Sequence, residues 1–346
     1  MASPYGEGTK VSSAFSSRDI DILHENIDVN IDQKFKTAAY VIEYTIKTDV
    51  EGNQIPLLFY AENYKSDFKV WVDGQPIALS NFSPENIGAD SVKFKKFSAA
   101  FEKTTPYNNW QEVDIRWTEN IENSYPVSDL KYFEANLKRG IHKIRVAYTA
   151  FAWVYRGGWI RQYNFAYSLS PAKFWRSFGT LQINLKTENF RGNLSTNLGE
   201  HNHVAGKTQT WNFTELPADF FNICYQPKPN DFAALAIFIG PFGIAVSVTL
   251  ILVIFHLVLI IIRRKARPLK KYSGVTILGS LLVPLIFFIV YLCSFDIIDN
   301  LIGDDASRRH GYAFLIIVLY PFVMPPYWLM MWLIDRYIKK RIYDQR

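Results

Sequence analysis

Ile251-Leu-Val-Ile-Phe-His-Leu-Val-Leu-Ile-Ile-Ile262 runs straight into Arg263-Arg264-Lys265-Ala266-Arg267-Pro268-Leu269-Lys270-Lys271. The first segment has His256 as its one polar side chain, and the second packs six positive charges into nine residues. A hydrocarbon core ~30 Å thick needs about 20 apolar residues to be crossed as helix. The full apolar run, residues 232–262, exceeds that length, and similar runs follow at 275–295 and 312–334. The reading is three membrane-spanning helices over 232–346, with 263–271 as a loop between the first two.

Charge gives these helices a direction. The tail adds Arg336, Lys339, Lys340, Arg341 and Arg346, whereas the loop before the third run holds Asp296, Asp299, Asp304 and Asp305 against Arg308 and Arg309. Lys and Arg concentrate on the cytoplasmic side of membrane proteins. Loop 263–271 and the C-terminus are therefore expected in the cytoplasm, and everything before the first run outside it. An exported domain calls for a leader, and Met1-Ala-Ser-Pro-Tyr-Gly-Glu-Gly8 has neither a basic start nor an apolar core. The expectation is a mature chain carrying an added Met1. The alternative is a cytosolic domain with inverted helices.

The chain has 346 residues and a formal net charge of +6. Residues 232–346 contain 13 Lys+Arg and 6 Asp+Glu, which leaves 25 basic and 26 acidic residues before them. The excess charge thus belongs to the membrane part, and the basic pI is no pointer to nucleic acid. Only Cys224 and Cys293 occur, so no disulfide framework staples the soluble part. A domain of that size supports its own core.

Residues 1–18 read as a mobile arm. From 19 to 230 the pattern is β, with a possible division near 118–128. Ile20-Asp-Ile22, Ile27-Asp-Val29-Asn-Ile31 and Tyr40-Val-Ile42-Glu-Tyr44-Thr-Ile46 alternate apolar with polar, as strands with one buried face do. Asp73-Gly74 between Phe68-Lys-Val70-Trp-Val72 and Gln75-Pro-Ile77 is a hairpin signal, because a type I′ turn needs positive φ at both positions. Further strands are expected over 92–97, 112–117, 140–149, 162–169, 180–186, 208–213 and 220–225. The fold class is one β-sandwich, or two, followed by the membrane helices.

Ile27 to Asp32, Ile55-Pro-Leu-Leu-Phe59, Phe68 to Ile77, and Tyr167-Ser-Leu169-Ser-Pro171-Ala-Lys-Phe-Trp175 with Phe178-Gly179 together resemble membrane-anchored, β-rich bacterial envelope proteins of unassigned function. The resemblance covers about half of the soluble part. It implies a sandwich outside the membrane and brings no activity with it.

Nucleophile elbows, phosphate-binding glycine loops, dinucleotide motifs and cysteine–histidine metal frameworks are not recognisable. The expectation is no cofactor and no catalysis. Trp153, Tyr155, Arg156, Trp159 and Arg161 form a Gly-broken aromatic and basic segment suited to protein or sugar contact. The ordinary reading of such aromatics is sandwich core. His201 and His203, beside Glu200, are the one tight ligand-like group, and an ordinary surface loop is the favoured reading over a metal site. His256 lies deep in a span, where ionisable residues often serve function. Pro321, Pro325 and Pro326 suggest a hinge or a packing kink in the third helix. The function so read is a binding or assembly subunit of a bacterial envelope complex at the inner membrane, in contact with lipid and with other subunits or copies of itself. Carbohydrate binding or processing is one alternative. Transport or signalling through His256 and the kinked helix is another.

Overall fold

The computed structural model describes residues 13–60, 64–65, 67–82, 101–107, 110–118, 121–126, 129–268 and 270–344, with backbone only over 101–126. Two compact units emerge. The first runs to Tyr155 and resumes over Gln162–Gln226, and the second comprises Arg156–Arg161 and the chain from Pro227.

The strands begin with β1 (Ser13–Ser16), β2 (Ile20–Ile31), β3 (Thr37–Thr48), β4 (Gly52–Gln54), β5 (Leu57–Tyr60), β6 (Lys69–Val72), β7 (Gln75–Ile77) and β8 (Ser80–Asn81). Next come β9 (Phe101–Tyr107), β10 (Trp110–Thr118), β11 (Ile121–Pro126), β12 (Leu130–Tyr132), β13 (Ala135–Leu137), β14 (Gly140–Phe151) and β15 (Trp153–Tyr155). The series ends with β16 (Gln162–Ser168), β17 (Ser177–Thr187), β18 (Gly192–Thr196), β19 (His203–Ala205), β20 (Thr208–Phe213) and β21 (Phe220–Pro227).

One eight-stranded sheet, in the order β19-β20-β17-β2-β3-β14-β6-β7, supplies most of the first unit. Its pairings are antiparallel except β17 with β2. Alternation decides which face goes inward: Tyr40, Ile42, Tyr44 and Ile46 of β3, Ile144, Val146 and Tyr148 of β14, and Leu181, Ile183 and Leu185 of β17 are all buried. Two four-stranded sheets, β15-β16-β21-β18 and β1-β5-β12-β8, contribute the facing side chains. Tyr163, Phe165 and Tyr167 of β16, Phe221, Ile223 and Tyr225 of β21, and Leu57 and Phe59 of β5 join the same apolar cluster. Each such side chain withdrawn from water contributes roughly 1.5–3 kcal/mol before entropy is counted. This is a β-sandwich with one continuous core.

The Asp73-Gly74 hairpin forms as expected, with φ of 48° and 80° and with Val72 opposite Gln75. The segment 1–18 is corrected in part. Ser13–Ser16 is a strand paired with Leu57–Tyr60, and Ala14, Phe15, Ser16 and Ser17 are buried, because a core this apolar gains by recruiting Phe15. Residues 1–12 and the expected strand at 92–97 lie outside the described residues. The three-stranded sheet β11-β10-β9 runs into the region of the expected division.

In the second unit, α1 (Asp231–Ala266), α2 (Gly274–Ile302) and α3 (Tyr320–Asp344) are long and apolar enough to cross a membrane. Helix α1 has 36 residues, about 54 Å of helix, well beyond one hydrocarbon thickness. It is broken at Gly240, where φ is 68°, immediately before Pro241. Asn230 and Ser273 cap α1 and α2 by accepting from the backbone N–H of Ala233 and Thr276. The third apolar run is two elements. A 3₁₀ stretch, Ala313–Leu319, leads into α3, and Pro321 sits in the first turn of α3, where a missing N–H costs nothing. Pro325 and Pro326 lie within the helix.

Candidate functional site

Inside the sandwich the least ordinary residue is Glu25, a carboxyl buried among apolar and aromatic side chains. Its place follows from a shift of register in β2. Ile20 and Ile22 point inward, the β2–β3 pairing slips between Ile22 and His24, and Ile27, Val29 and Ile31 then point inward in the opposite phase. Leu23 is the extra residue and is exposed, so the bulge re-aims the strand and turns Glu25 into the core. Gly179 on β17 makes the bulge possible, because a Cβ there would collide with the Leu23 carbonyl.

Tyr167 donates to Glu25 Oε1 at 3.1 Å, and the Tyr44 and Tyr167 hydroxyls are 2.8 Å apart. Burial is the main influence on the carboxyl and raises its pKa from 4.5 to about 7, against hydrogen bonds from Tyr167 and Tyr44 that lower it. Tyr44, Tyr148 and Tyr167 also line a small void together with Ile42, Phe59, Tyr60, Phe68 and Val146. The arrangement can hold one proton near neutrality, shielded from solvent.

The opposite face of the large sheet is polar and cross-linked. Asn184 Nδ2 donates to Asn26 Oδ1 at 3.0 Å and to Asp28 Oδ1 at 2.8 Å, Asn26 Nδ2 donates to Asp28 Oδ2 at 2.9 Å, and Thr210 donates to Asn184 Oδ1 at 2.9 Å. Three strands thereby present a rigid row of amides, hydroxyl and carboxylate. At the far end of this face Arg145 lies 5.5 Å over the Trp71 ring. His142 donates from Nδ1 to Asp73 at 2.7 Å and from Nε2 to the Lys138 carbonyl at 2.8 Å, which requires both nitrogens protonated. Burial works against that charge, yet the Asp73 carboxylate and the carbonyl raise the His142 pKa. Asp21, gripped by Arg176 against the opposing cost of burial and also bonded by Ser177, is lowered to about 2.

The aromatic and basic segment divides between the units. Trp153 and Tyr155 are on edge strand β15 of the first unit with ring centroids 6.1 Å apart. Arg156, Trp159 and Arg161 belong to the second unit. Trp159 stacks on Phe295 at 5.7 Å and lies 5.1 Å from the His310 ring, while its carbonyl accepts from Ser307 N–H at 2.9 Å. Arg161 N–H donates to the Asp305 carbonyl at 2.8 Å, and His310 Nε2 donates to Asp299 at 2.7 Å. Arg156 is exposed. His201 and His203 are exposed, with His201 set edge-on to Trp211, and among the described residues no group of three His, Cys, Asp or Glu side chains could hold a metal.

His256 is buried and satisfied on both sides. Nε2 donates to the Val275 carbonyl at 3.2 Å, which leaves Nδ1 to accept from Tyr327 of α3 at 3.1 Å. Gly279 of α2 provides the room, since a Cβ there would strike the imidazole. One further polar tie escaped sequence reading. Arg264 Nε donates to Asp335 at 2.6 Å, with a second bond from Nη2, and Nη1 donates to the Lys270 carbonyl at 2.7 Å. Both side chains are buried. The available signal was Asp335 at the end of an apolar run, an acid set directly before the basic residues of the tail.

No family model matches the chain, and no curated protein matches it. Among solved structures, a Legionella pneumophila protein provisionally named as nutrient-binding aligns with a TM-score of 0.40 and 12% identity, over 62% of this chain and 69% of that one. Native yeast leukotriene A4 hydrolase aligns with a TM-score of 0.37 and 8% identity, over 65% of this chain and 32% of the hydrolase. A zinc metallopeptidase from Deinococcus radiodurans gives 0.26 and 9%, over 61% of this chain and 43% of the peptidase. The chain therefore spans about a third of the yeast enzyme and under half of the peptidase. Overlaps this loose assign no chemistry.

Proposed function

We propose that this chain is a membrane-anchored binding or assembly subunit of a bacterial cell envelope, acting by contact and not by catalysis. Its sandwich is extracytoplasmic, and loop 263–271 and the C-terminus are cytoplasmic, with the inner membrane as the site. The observation that carries the reading is the cross-tying of the three helices. A tether needs one span. Here Asn230 donates to the Leu301 carbonyl, Tyr320 to the Leu281 carbonyl, His256 bridges α2 and α3, and Arg264 locks onto Asp335. Such a unit has a defined outer surface on which other membrane subunits can pack. The charge asymmetry of the loops supports the orientation. Arg156–Arg161 precedes α1 in the chain and packs on the α2–α3 connection, as three spans with both on one side of the bilayer demand.

A second reading has its own observation. The row Asn26, Asp28, Asn184 and Thr210 is a preformed set of donors and acceptors of the kind that binds sugars, which favours a carbohydrate ligand on the open face of the large sheet. Extraction from native membranes in a mild detergent, with chemical crosslinking beforehand, separates the two. Co-purifying chains in fixed proportion support assembly. A monomer with no partner, retained on polysaccharide resin and released by Asn184→Ala, rejects assembly for the sugar reading.

A further inference from the structure

We infer that the basic end of the three-helix unit is a built site for the phosphate of an anionic phospholipid, formed by the α1–α2 loop and the last turns of α3. It rests on the membrane-spanning reading but on neither orientation nor partner.

Two stripes run along α3. One, Tyr327, Met331, Asp335 and Lys339, faces the other helices: Tyr327 meets His256, Met331 and Asp335 are buried, and Lys339 Nζ donates to the Lys270 carbonyl at 3.4 Å. The other follows one residue later at the same four-residue spacing, Trp328, Trp332, Arg336 and Lys340. Trp328 and Trp332 stack at 6.4 Å, and the Arg336 guanidinium lies 4.6 Å over the Trp332 ring. Stacked indoles followed by cations along one helix face match the order of a lipid from glycerol to phosphate.

The Arg264–Asp335 pair draws loop and helix together, because Arg264 also holds the Lys270 carbonyl that Lys339 approaches. It spends the Asp335 carboxylate as well, and Asp344 lies exposed one turn beyond Lys340. Among the described residues Lys270, Lys271, Arg336, Lys339 and Lys340 make no ion pair, and Lys271 lies 5.3 Å over the Tyr272 ring. Lys339 is drawn to the Lys270 backbone, and a phosphodiester beside these unpaired cations would offset their mutual repulsion. Basic pockets between membrane helices are a recognised setting for anionic headgroups.

The test is lipid retention by the intact chain. Protein extracted in mild detergent is analysed by native mass spectrometry, and its bound lipids are compared with the bulk membrane lipid extract. Enrichment of anionic over zwitterionic lipid is expected, falling about fivefold for each of Lys270→Gln, Lys271→Gln and Lys339→Gln. Added diphosphatidylglycerol should raise Tm, and phosphatidylcholine or inorganic phosphate at equal concentration should not. Retention at the bulk ratio, retention unaltered by the lysine changes, or an equal rise with inorganic phosphate would each overturn the site. Release of the protein from membranes by salt alone, without detergent, would instead defeat the membrane reading beneath it.

Discussion

At the scale of single residues, Glu25 sets the pH response of the sandwich. Its folded pKa of about 7 stands above the unfolded 4.5, so the native state holds the extra proton between those values. The sign follows from proton linkage: stability is fully present below pH 4.5 and is lost as pH rises through 7. The loss amounts to about 3 kcal/mol. His142, also raised, adds in the same direction above its unfolded value of 6.5. Asp21, lowered to about 2, opposes them only in acid, where its contribution disappears as pH falls from 3.8. Glu25→Gln keeps the oxygen that accepts from Tyr167 and removes the titration. Thermal unfolding of the full chain in detergent should therefore show Tm falling from pH 5 to pH 8 in the natural protein and much less in the variant. An equal fall in both would show that Glu25 is solvated. Gly179 makes a companion case without charge. Gly179→Ala pushes a methyl into the Leu23 carbonyl, and the bulge must shift or the strands part, at roughly 1–3 kcal/mol. Unchanged Tm in that variant would mean that the bulge adapts freely.

Among elements, α1 and α3 depend on the buried Arg264–Asp335 pair. Asp335→Asn leaves the guanidinium charged and half-satisfied in an apolar setting, which costs about 3–5 kcal/mol. Arg264→Met combined with Asp335→Leu removes both charges and should recover most of it. Detergent-resistant compactness, read by limited proteolysis of the connection after Ala266 between α1 and α2, should therefore be lost in the single variant and restored in the double. Proteolysis of both variants at the same rate as the natural chain would demote the pair to a surface ion pair. The elements themselves were largely legible before any coordinates. Period-two alternation found β2, β3, β14, β16, β17, β20 and β21, and Asp73-Gly74 found its hairpin, because each signal is local. What escaped was non-local. The bulge was visible as a phase break, with Ile20 and Ile22 on even numbers and Ile27, Val29 and Ile31 on odd, but which residue filled the inward position depends on strand pairing. The Arg264–Asp335 contact joins residues 71 apart and no periodicity announces it. Trp159 and Trp153 looked like one platform because they are neighbours in sequence, yet their folded partners lie in different units.

For the whole molecule the decisive quantity is which face of the bilayer each part meets, and that was read from charge alone. Eleven positive charges in loop 263–271 and the tail against Arg308 and Arg309 in the α2–α3 connection are the basis of the proposed direction. The two native cysteines make it measurable. With Cys224→Ser and Cys293→Ser as background, Asn202→Cys puts a thiol in the exposed loop before β19 and Lys265→Cys puts one at the basic end of α1. A membrane-impermeant maleimide added to intact spheroplasts should label the first within minutes and the second only after lysis. The reverse pattern would move the sandwich into the cytoplasm and remove the envelope reading with it. It would leave the polar ties of the helices and the phosphate site intact, because both follow from contacts within the bundle and from neither leaflet in particular. Labelling of both thiols before lysis would be the more damaging result. It would mean that the basic loop is not sheltered by a bilayer, and that the three apolar helices are covered by protein instead of lipid.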